Sequence, residues 1–187
     1  MVKGMGFKFA RCLALAAGLL WGAPAMARNA HDFAFEGIEG GPMPMSQFKG
    51  KVVLVVNTAS FCGFTPQYEG LEQIFKEYQG RGLVVLGVPA NNFGGQEPGT
   101  NAEIKEFCEA KYDVDFPLAS KVSVKGGDAH PFYKWALETL GEDKAPQWNF
   151  HKYLVDAKGD LVASFPTRVV PDAPEIKAAI DRAIAAK

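Results

Sequence analysis

Two apolar runs with one amphipathic segment between them constrain this chain more than any other feature. The first, "KVVLVVNT" at about 51–58, is apolar without alternation, as a strand covered on both faces must be. The second, "GLVVLGVP" at about 82–88, repeats the pattern. Between them Leu71, Ile74, Phe75 and Tyr78 fall at i, i+3, i+4 and i+7, one stripe of a helix that Pro66 suits at its start and Gly80 at its end. Strand, helix, strand in that order implies a parallel pair joined by a right-handed crossover.

The rest of the chain extends this unit. "ANNFGGQEPG" is a loop by its glycine and proline content. Thr100 and Glu103 have capping-box spacing, and Ile104, Phe107, Cys108 and Tyr112 continue a helical stripe. A short strand is expected near "SKVSV" and a helix from about Pro131 to Leu140. "KYLVDAKGDLVASF" reads as a hairpin turning at Ala157 to Gly159. A last helix, opened by Asp172 and Glu175, buries Ile176, Ala179, Ile180, Ala183 and Ile184. Parallel strands first and an antiparallel hairpin last give an α/β fold with a mixed central sheet flanked by helices, thioredoxin-like in outline. In such sheets the working site lies beyond the carboxyl ends of the parallel strands, and residues 57–65 leave one of those ends.

The amino-terminal residues are of another kind. "MVKGMGFKFAR" carries Lys3, Lys8 and Arg11 without an acid, and "CLALAAGLLWGAPAMA" then ends in Ala25-Met26-Ala27, a small-x-small cleavage pattern. That apolar run is about 15 residues, short of the about 20 a membrane span needs. Residues 1–27 are expected to be a secretory signal peptide cut after Ala27, leaving one domain over 28–187 in the periplasm or outside the cell. Cleavage would leave 17 basic against 21 acidic residues, a formal charge of −4, with no basic field for nucleic acid. It would also leave two cysteines, Cys62 and Cys108: one disulfide in an oxidising compartment, or a working thiol and its partner.

Cys62, in "NTASFCGFTPQYEG", sits between a buried strand and a helix start, where unpaired N–H groups and the helix dipole favour an anion. A lone cysteine is as readily a small buried hydrophobe. Two other segments hold groups that could add specificity. Gln96 lies in the glycine-flanked "NNFGGQEPG", and Trp148 and Asn149 precede a strand in "QWNFHKYL". Amide and indole N–H groups can surround a sulfur anion without neutralising it, and can hydrogen-bond a peroxide oxygen as the O–O bond breaks. Taken singly, Gln96 and Asn149 are turn residues and Trp148 is core.

Together, "NTASFCGFTPQYEGLE", "GVPANNFGGQEPGTNAEIKEF", "FPLASKVSVKGGDAHPFYKW" and "WNFHKYLVDAKG" resemble the glutathione peroxidase family, in order and spacing, over nearly all of residues 31–185. The resemblance implies a thioredoxin-like fold and a bacterial, cysteine-type peroxidase that is its own reagent, with no cofactor. Cys62 takes the peroxidatic position, with Gln96, Trp148 and Asn149 completing the supporting tetrad. The implied reaction reduces hydrogen peroxide and organic or lipid hydroperoxides to water or alcohols through a Cys62 sulfenic acid. A thioredoxin-like protein or glutathione restores the thiol.

The chain departs from the family pattern in two places. Many cysteine-type members carry a resolving cysteine where this chain has Glu109, and here the neighbouring Cys108 is present instead. One residue is about 100° around a helix, so Cys108 is either the resolving thiol or a buried, silent one. The segment "ALETLGEDKAP" is short where tetrameric animal members have an insertion, which suggests a monomer with an open site. His31, His130 and His151 form no cluster and no metal-ligand spacing; His130 caps or packs the helix after Pro131. The competing enzyme class, an exported thiol–disulfide oxidoreductase, would use C-x-x-C, and Thr65 holds its second position. A copper-delivering module would want C-x-x-x-C, and that position is Pro66.

Overall fold

The computed structural model describes residues 1–2 and 28–186. The expected signal peptide therefore lies outside the described residues, apart from Met1 and Val2. Among the described residues no helix is long and apolar enough to cross a membrane.

The chain opens with a small hairpin, β1 (Ala34–Glu36) against β2 (Pro42–Pro44). There follow β3 (Val52–Thr58), α1 (Gln67–Tyr78), β4 (Leu83–Pro89), α2 (Asn101–Tyr112), α3 (Pro131–Leu140), β5 (Lys152–Val155), β6 (Leu161–Phe165) and α4 (Pro174–Ala185). The main sheet has the order β4-β3-β5-β6. β3 pairs parallel with β4 in the register Val52 to Leu83 and antiparallel with β5, and β5 pairs antiparallel with β6. This is the mixed sheet expected, with its parallel pair where the two apolar runs lie.

Both faces of β3 are covered, which is why its sequence does not alternate. Val52, Leu54 and Val56 face one core with Tyr68, Leu71 and Ile74 of α1, Ile104 and Cys108 of α2, and Ile176 and Ile180 of α4. Val53 and Val55 face a second core with Phe132, Trp135 and Ala136 of α3 and Phe33 and Phe35 near β1. Cys62 and Cys108 both belong to the first of these.

Three local expectations are corrected. No strand forms at "SKVSV"; isolated bridges join Leu118 to Gly87 and Ala119 to Gly37 just before it. Beyond them the backbone makes scattered bonds to side chains and strand ends instead of a continuous ladder, beginning with Ser120 N to the Glu36 carbonyl (2.7 Å). Lys121 N donates to Asn101 Oδ1 (2.9 Å), Val122 N to the Pro89 carbonyl (3.0 Å) and Val124 N to Asn92 Oδ1 (2.8 Å). Helix α1 does not stop at Gly80 but tightens into a 3₁₀ turn over Gln79–Arg81, stopped by Gly82, whose φ of 96° suits glycine. Helix α4 is opened by Pro174 at its first position with no side-chain cap; Asp172 lies outside it and Glu175 in its first turn.

Candidate active site

The site is built at the carboxyl end of β3, at the sheet's parallel pair. After Thr58 the chain cannot continue extended, because Thr65 folds it back. Thr65 Oγ1 accepts from the Cys62 N–H (3.0 Å) and donates to the Ala59 carbonyl (2.9 Å), while Thr65 N–H donates to the Cys62 carbonyl (3.0 Å). Thr65 is thus the brace of the loop, and its hydroxyl occupies the place where a C-x-x-C would need its second thiol.

Cys62 ends up nearly covered, at 7% exposure, between Phe61 at 67% and Phe64 at 36%. The Phe64 N–H donates to the Cys62 sulfur (3.4 Å). Helix α1 then begins at Gln67, with its amino-terminal end toward this loop.

Gln96 and Asn149, 53 residues apart, meet directly: Asn149 Nδ2 donates to Gln96 Oε1 (2.9 Å). The pairing occupies the Gln96 oxygen, and among the described residues its NH₂ group has no partner. The Phe61 N–H donates to the Gln96 carbonyl (3.0 Å), which fixes that loop beside the residue preceding Cys62. At Gly94 the side chains of Gln96 and Trp148 both lie 3.6 Å from where a Cβ would stand, an ordinary contact distance, and the φ of +68° is what favours glycine in that turn. Trp148 packs on Phe93 (5.9 Å between ring centroids), is 39% exposed, and its indole N–H makes no hydrogen bond among the described residues. The structure therefore brings Gln96, Trp148 and Asn149 together beside the Cys62 loop. Neither Trp148 nor Gln96 donates to the sulfur, whose donor is the Phe64 N–H.

Cys108 is fully buried on α2, with the Tyr68 hydroxyl against it. Burial pushes its thiol up to about 11. Both cysteines are free. Between their segments lies a cleft of about 470 Å³ lined by Ser60, Phe61, Glu97, Ile104 and Phe107, with the Phe61 and Phe107 rings 6.3 Å apart.

Several residues that hold this arrangement escaped the sequence reading. Asn57 Nδ2 donates to the Trp148 carbonyl (3.1 Å), and Thr167 Oγ1 to the Asn149 carbonyl (2.7 Å). Phe150, next in the chain, has φ +64°, uncommon outside glycine. Glu97 is wholly buried, and among the described residues neither carboxylate oxygen has a hydrogen-bond partner that meets ordinary geometry, although Ser60 lies beside it. Lys152 is wholly buried too. The available signal was a polar residue inside an apolar strand: Asn57 in "VVLVVNT" and Lys152 in "KYLV". Of the histidines, His130 caps α3 through Nδ1 (3.3 Å from Phe132 N) and stacks on Phe35 (4.1 Å). His151 is bonded to Ser164 (2.9 Å) and is driven down to about 4, chiefly by burial and secondarily by Lys152, so it is neutral at pH 7. Among the described residues no cluster of His, Cys, Asp and Glu could hold a metal.

Residues 30–137 match the family model described as glutathione peroxidase. The chain belongs to the glutathione peroxidase family. It is a thiol-dependent peroxidase that reduces hydroperoxides. It is 45% identical over 167 residues to a hydroperoxy fatty acid reductase of Synechocystis sp., covering 84% of this chain and 98% of that one. It is 43% identical over 149 residues to glutathione peroxidase-like peroxiredoxin 2 of Saccharomyces cerevisiae, covering 78% and 92%. Among solved structures it is similar to apo Trgpx, with a TM-score of 0.70 and 36% identity over 85% of this chain and 97% of that one. A thiol:disulfide interchange protein of Chlorobium tepidum superposes with a TM-score of 0.57 at 19% identity over 87% of this chain and 98% of that one. That likeness is one of fold alone.

Proposed function

We propose that Cys62 is the peroxidatic residue of this glutathione peroxidase, supported by Gln96, Trp148 and Asn149. The observation that carries the reading is a sulfur held by a backbone N–H beside a Gln96–Asn149 pair that leaves amide donors unspent. The Cys62 thiolate attacks the distal peroxide oxygen; the S–O bond forms as the O–O bond breaks, and the leaving oxygen departs as water or alcohol after taking a proton. The Trp148 indole and Gln96 amide N–H groups are the donors available to that oxygen. Cys62 is left as a sulfenic acid, which a thiol converts to a disulfide with loss of water.

Substrates are hydrogen peroxide and organic or lipid hydroperoxides. A cavity of about 540 Å³ beside Trp148, walled by Phe64, Pro166 and Thr167, supports an apolar substrate, as does the Synechocystis relative's activity on hydroperoxy fatty acids. We assign Cys108 the resolving role and a thioredoxin-like protein the final reduction, in a bacterial, exported, monomeric single-domain protein acting in the periplasm or outside the cell. The small-x-small ending at Ala27 supports export, and the net charge of the mature part speaks against nucleic acid as a partner. Thiol–disulfide exchange is disfavoured because Thr65 has no thiol to offer.

Reduced protein mixed with hydrogen peroxide or cumene hydroperoxide is expected to lose one thiol rapidly and a second afterwards. Cys62→Ser should lose none, and wild-type protein inert to every peroxide would defeat the reading. Cys108→Ser should abolish steady-state turnover with thioredoxin; unchanged turnover would remove the resolving role. Parallel assays with glutathione and thioredoxin identify the donor, and a stable tetramer on gel filtration would refute the monomer.

A further inference from the structure

Lys152 lies in β5 with no exposed surface and, among the described residues, no carboxylate beside it. Its ammonium group has three donors, and the structure gives it three acceptors: Gln67 Oε1 (2.6 Å), the Phe150 carbonyl (2.8 Å) and the Val169 carbonyl (2.6 Å). Gln67 is the first residue of α1, five positions after Cys62, and its Nε2 donates to the Thr167 carbonyl (2.7 Å). Thr167 Oγ1 in turn donates to the Asn149 carbonyl (2.7 Å), and Asn149 is joined by its own peptide to Phe150. A closed hydrogen-bonded circuit therefore runs Lys152, Gln67, Thr167, Asn149, Phe150 and back. Every member is at most 8% exposed.

We propose that Lys152 is a positioning residue for peroxide reduction: as an ammonium ion it locks the Trp148–Asn149 segment to the start of the helix beyond the Cys62 loop. Burying a cation without a counter-ion is costly. A methionine would fill similar space without that cost, but it supplies none of the three donors. A neutral amine has two N–H groups and a lone pair, so one of the three acceptors would face a lone pair and the side chain would no longer tie Gln67, Phe150 and Val169 together. The residue the circuit steadies most directly is Phe150, held at φ +64° immediately after Asn149. The inference rests on the assignment of Cys62 as the peroxidatic residue.

The dependence on charge gives a signature that a merely structural role lacks. Desolvation pushes Lys152 down to about 7, and Gln67 on α1 and the Phe150 and Val169 carbonyls bring no charge to it. The neighbouring titratable group, His151, is neutral throughout. Loss of the Lys152 proton as pH rises is expected to slow the reaction of Cys62 with peroxide, which gives the profile a falling alkaline limb.

The test is the single-turnover rate of Cys62 oxidation by hydrogen peroxide in reduced protein from pH 5.5 to 9, read by quenched thiol counting, on wild type and Lys152→Met. Wild type is expected to slow at least fivefold from pH 7 to 9. The variant, folded by far-UV circular dichroism, should react at least tenfold more slowly than wild type at pH 6.5 and show no falling alkaline limb. A wild-type rate that stays level or rises above pH 7 overturns the inference even where the variant fails to fold. So does a folded Lys152→Met with the wild-type rate and profile. Wild-type Cys62 that reacts with no peroxide overturns the peroxidatic assignment, and this inference with it.

Discussion

Thr65→Val isolates the brace that shapes the Cys62 loop. Valine is nearly isosteric, so the change deletes a hydroxyl and little else. Two hydrogen bonds go with it, from the Cys62 N–H (3.0 Å) and to the Ala59 carbonyl (2.9 Å), at a residue only 4% exposed. Both former partners are then left unpaired in a site too covered for water to replace the hydroxyl. An unsatisfied buried group costs about 1–3 kcal/mol, and with some relaxation of the loop the pair should cost about 2–4 kcal/mol. That is a large part of a typical domain stability of about 5–15 kcal/mol. Thr65→Ser keeps both bonds and loses one methyl, worth about 1 kcal/mol. Urea denaturation of the reduced proteins reads the stabilities, and stopped-flow mixing with hydrogen peroxide reads the reaction. Misaiming the sulfur should slow Thr65→Val by about tenfold or more, since small misplacements of reacting groups are expensive. Equal stability of the valine and serine variants, or a valine variant within about 0.5 kcal/mol of wild type, would refute the account of the loop.

Other perturbations test the neighbouring groups. Asn57→Leu removes the hydrogen bond to the Trp148 carbonyl (3.1 Å) and should cost about 1–2 kcal/mol in urea denaturation while slowing the peroxide reaction several-fold; a stability loss with an unchanged rate would separate Asn57 from the chemistry. Glu97 is pushed up, chiefly by desolvation. Its proton is bound more tightly folded than unfolded, so it stabilises the fold fully below its unfolded value and progressively less as pH rises through the folded one. Glu97→Gln is therefore expected to match wild type near pH 4.5 and to gain on it steadily as pH rises to 8. A gap that narrows with rising pH would contradict that sign.

How far the sequence spoke depended on the range of the interaction. The parallel pair was legible because β3 and β4 are buried on both faces, and a strand in that position can be read from its own residues. "SKVSV" looked equally extended, but its backbone partners are Asn101 Oδ1, Asn92 Oδ1 and the Pro89 carbonyl at the very end of β4, two side chains and a strand terminus that make no ladder. Helix ends failed for a related reason: Gly80 and Gly82 are indistinguishable as letters, and the turn geometry selects the second. Cys62, Gln96, Trp148 and Asn149 could be named from motifs, yet each was bland alone, and Gln96 meets Asn149 across 53 residues. Lys152 was invisible as anything but a strand residue, since its contacts to Gln67 span 85 positions. Thr65 was visible only as a missing cysteine, although its hydroxyl builds the loop.

The two cysteines are unequal in a way that orders the cycle. Cys62 stands at 7% exposure beneath two exposed rings, with a backbone donor on its sulfur; Cys108 has no exposed surface and a thiol pushed up to about 11. A thiol pushed that high stays protonated near pH 7, and the thiolate is the form that attacks sulfur. Cys108 shares the first core with Cys62 and Ile104, and the Phe107 ring beside it lies 6.3 Å from that of Phe61. On the proposed cycle, Cys62 is expected to be oxidised first and the disulfide to form more slowly, so that an outside thiol can compete for the sulfenic acid. The burial of Cys108 would then weigh on whether the cycle runs on the protein's own second thiol or on a donor from solution.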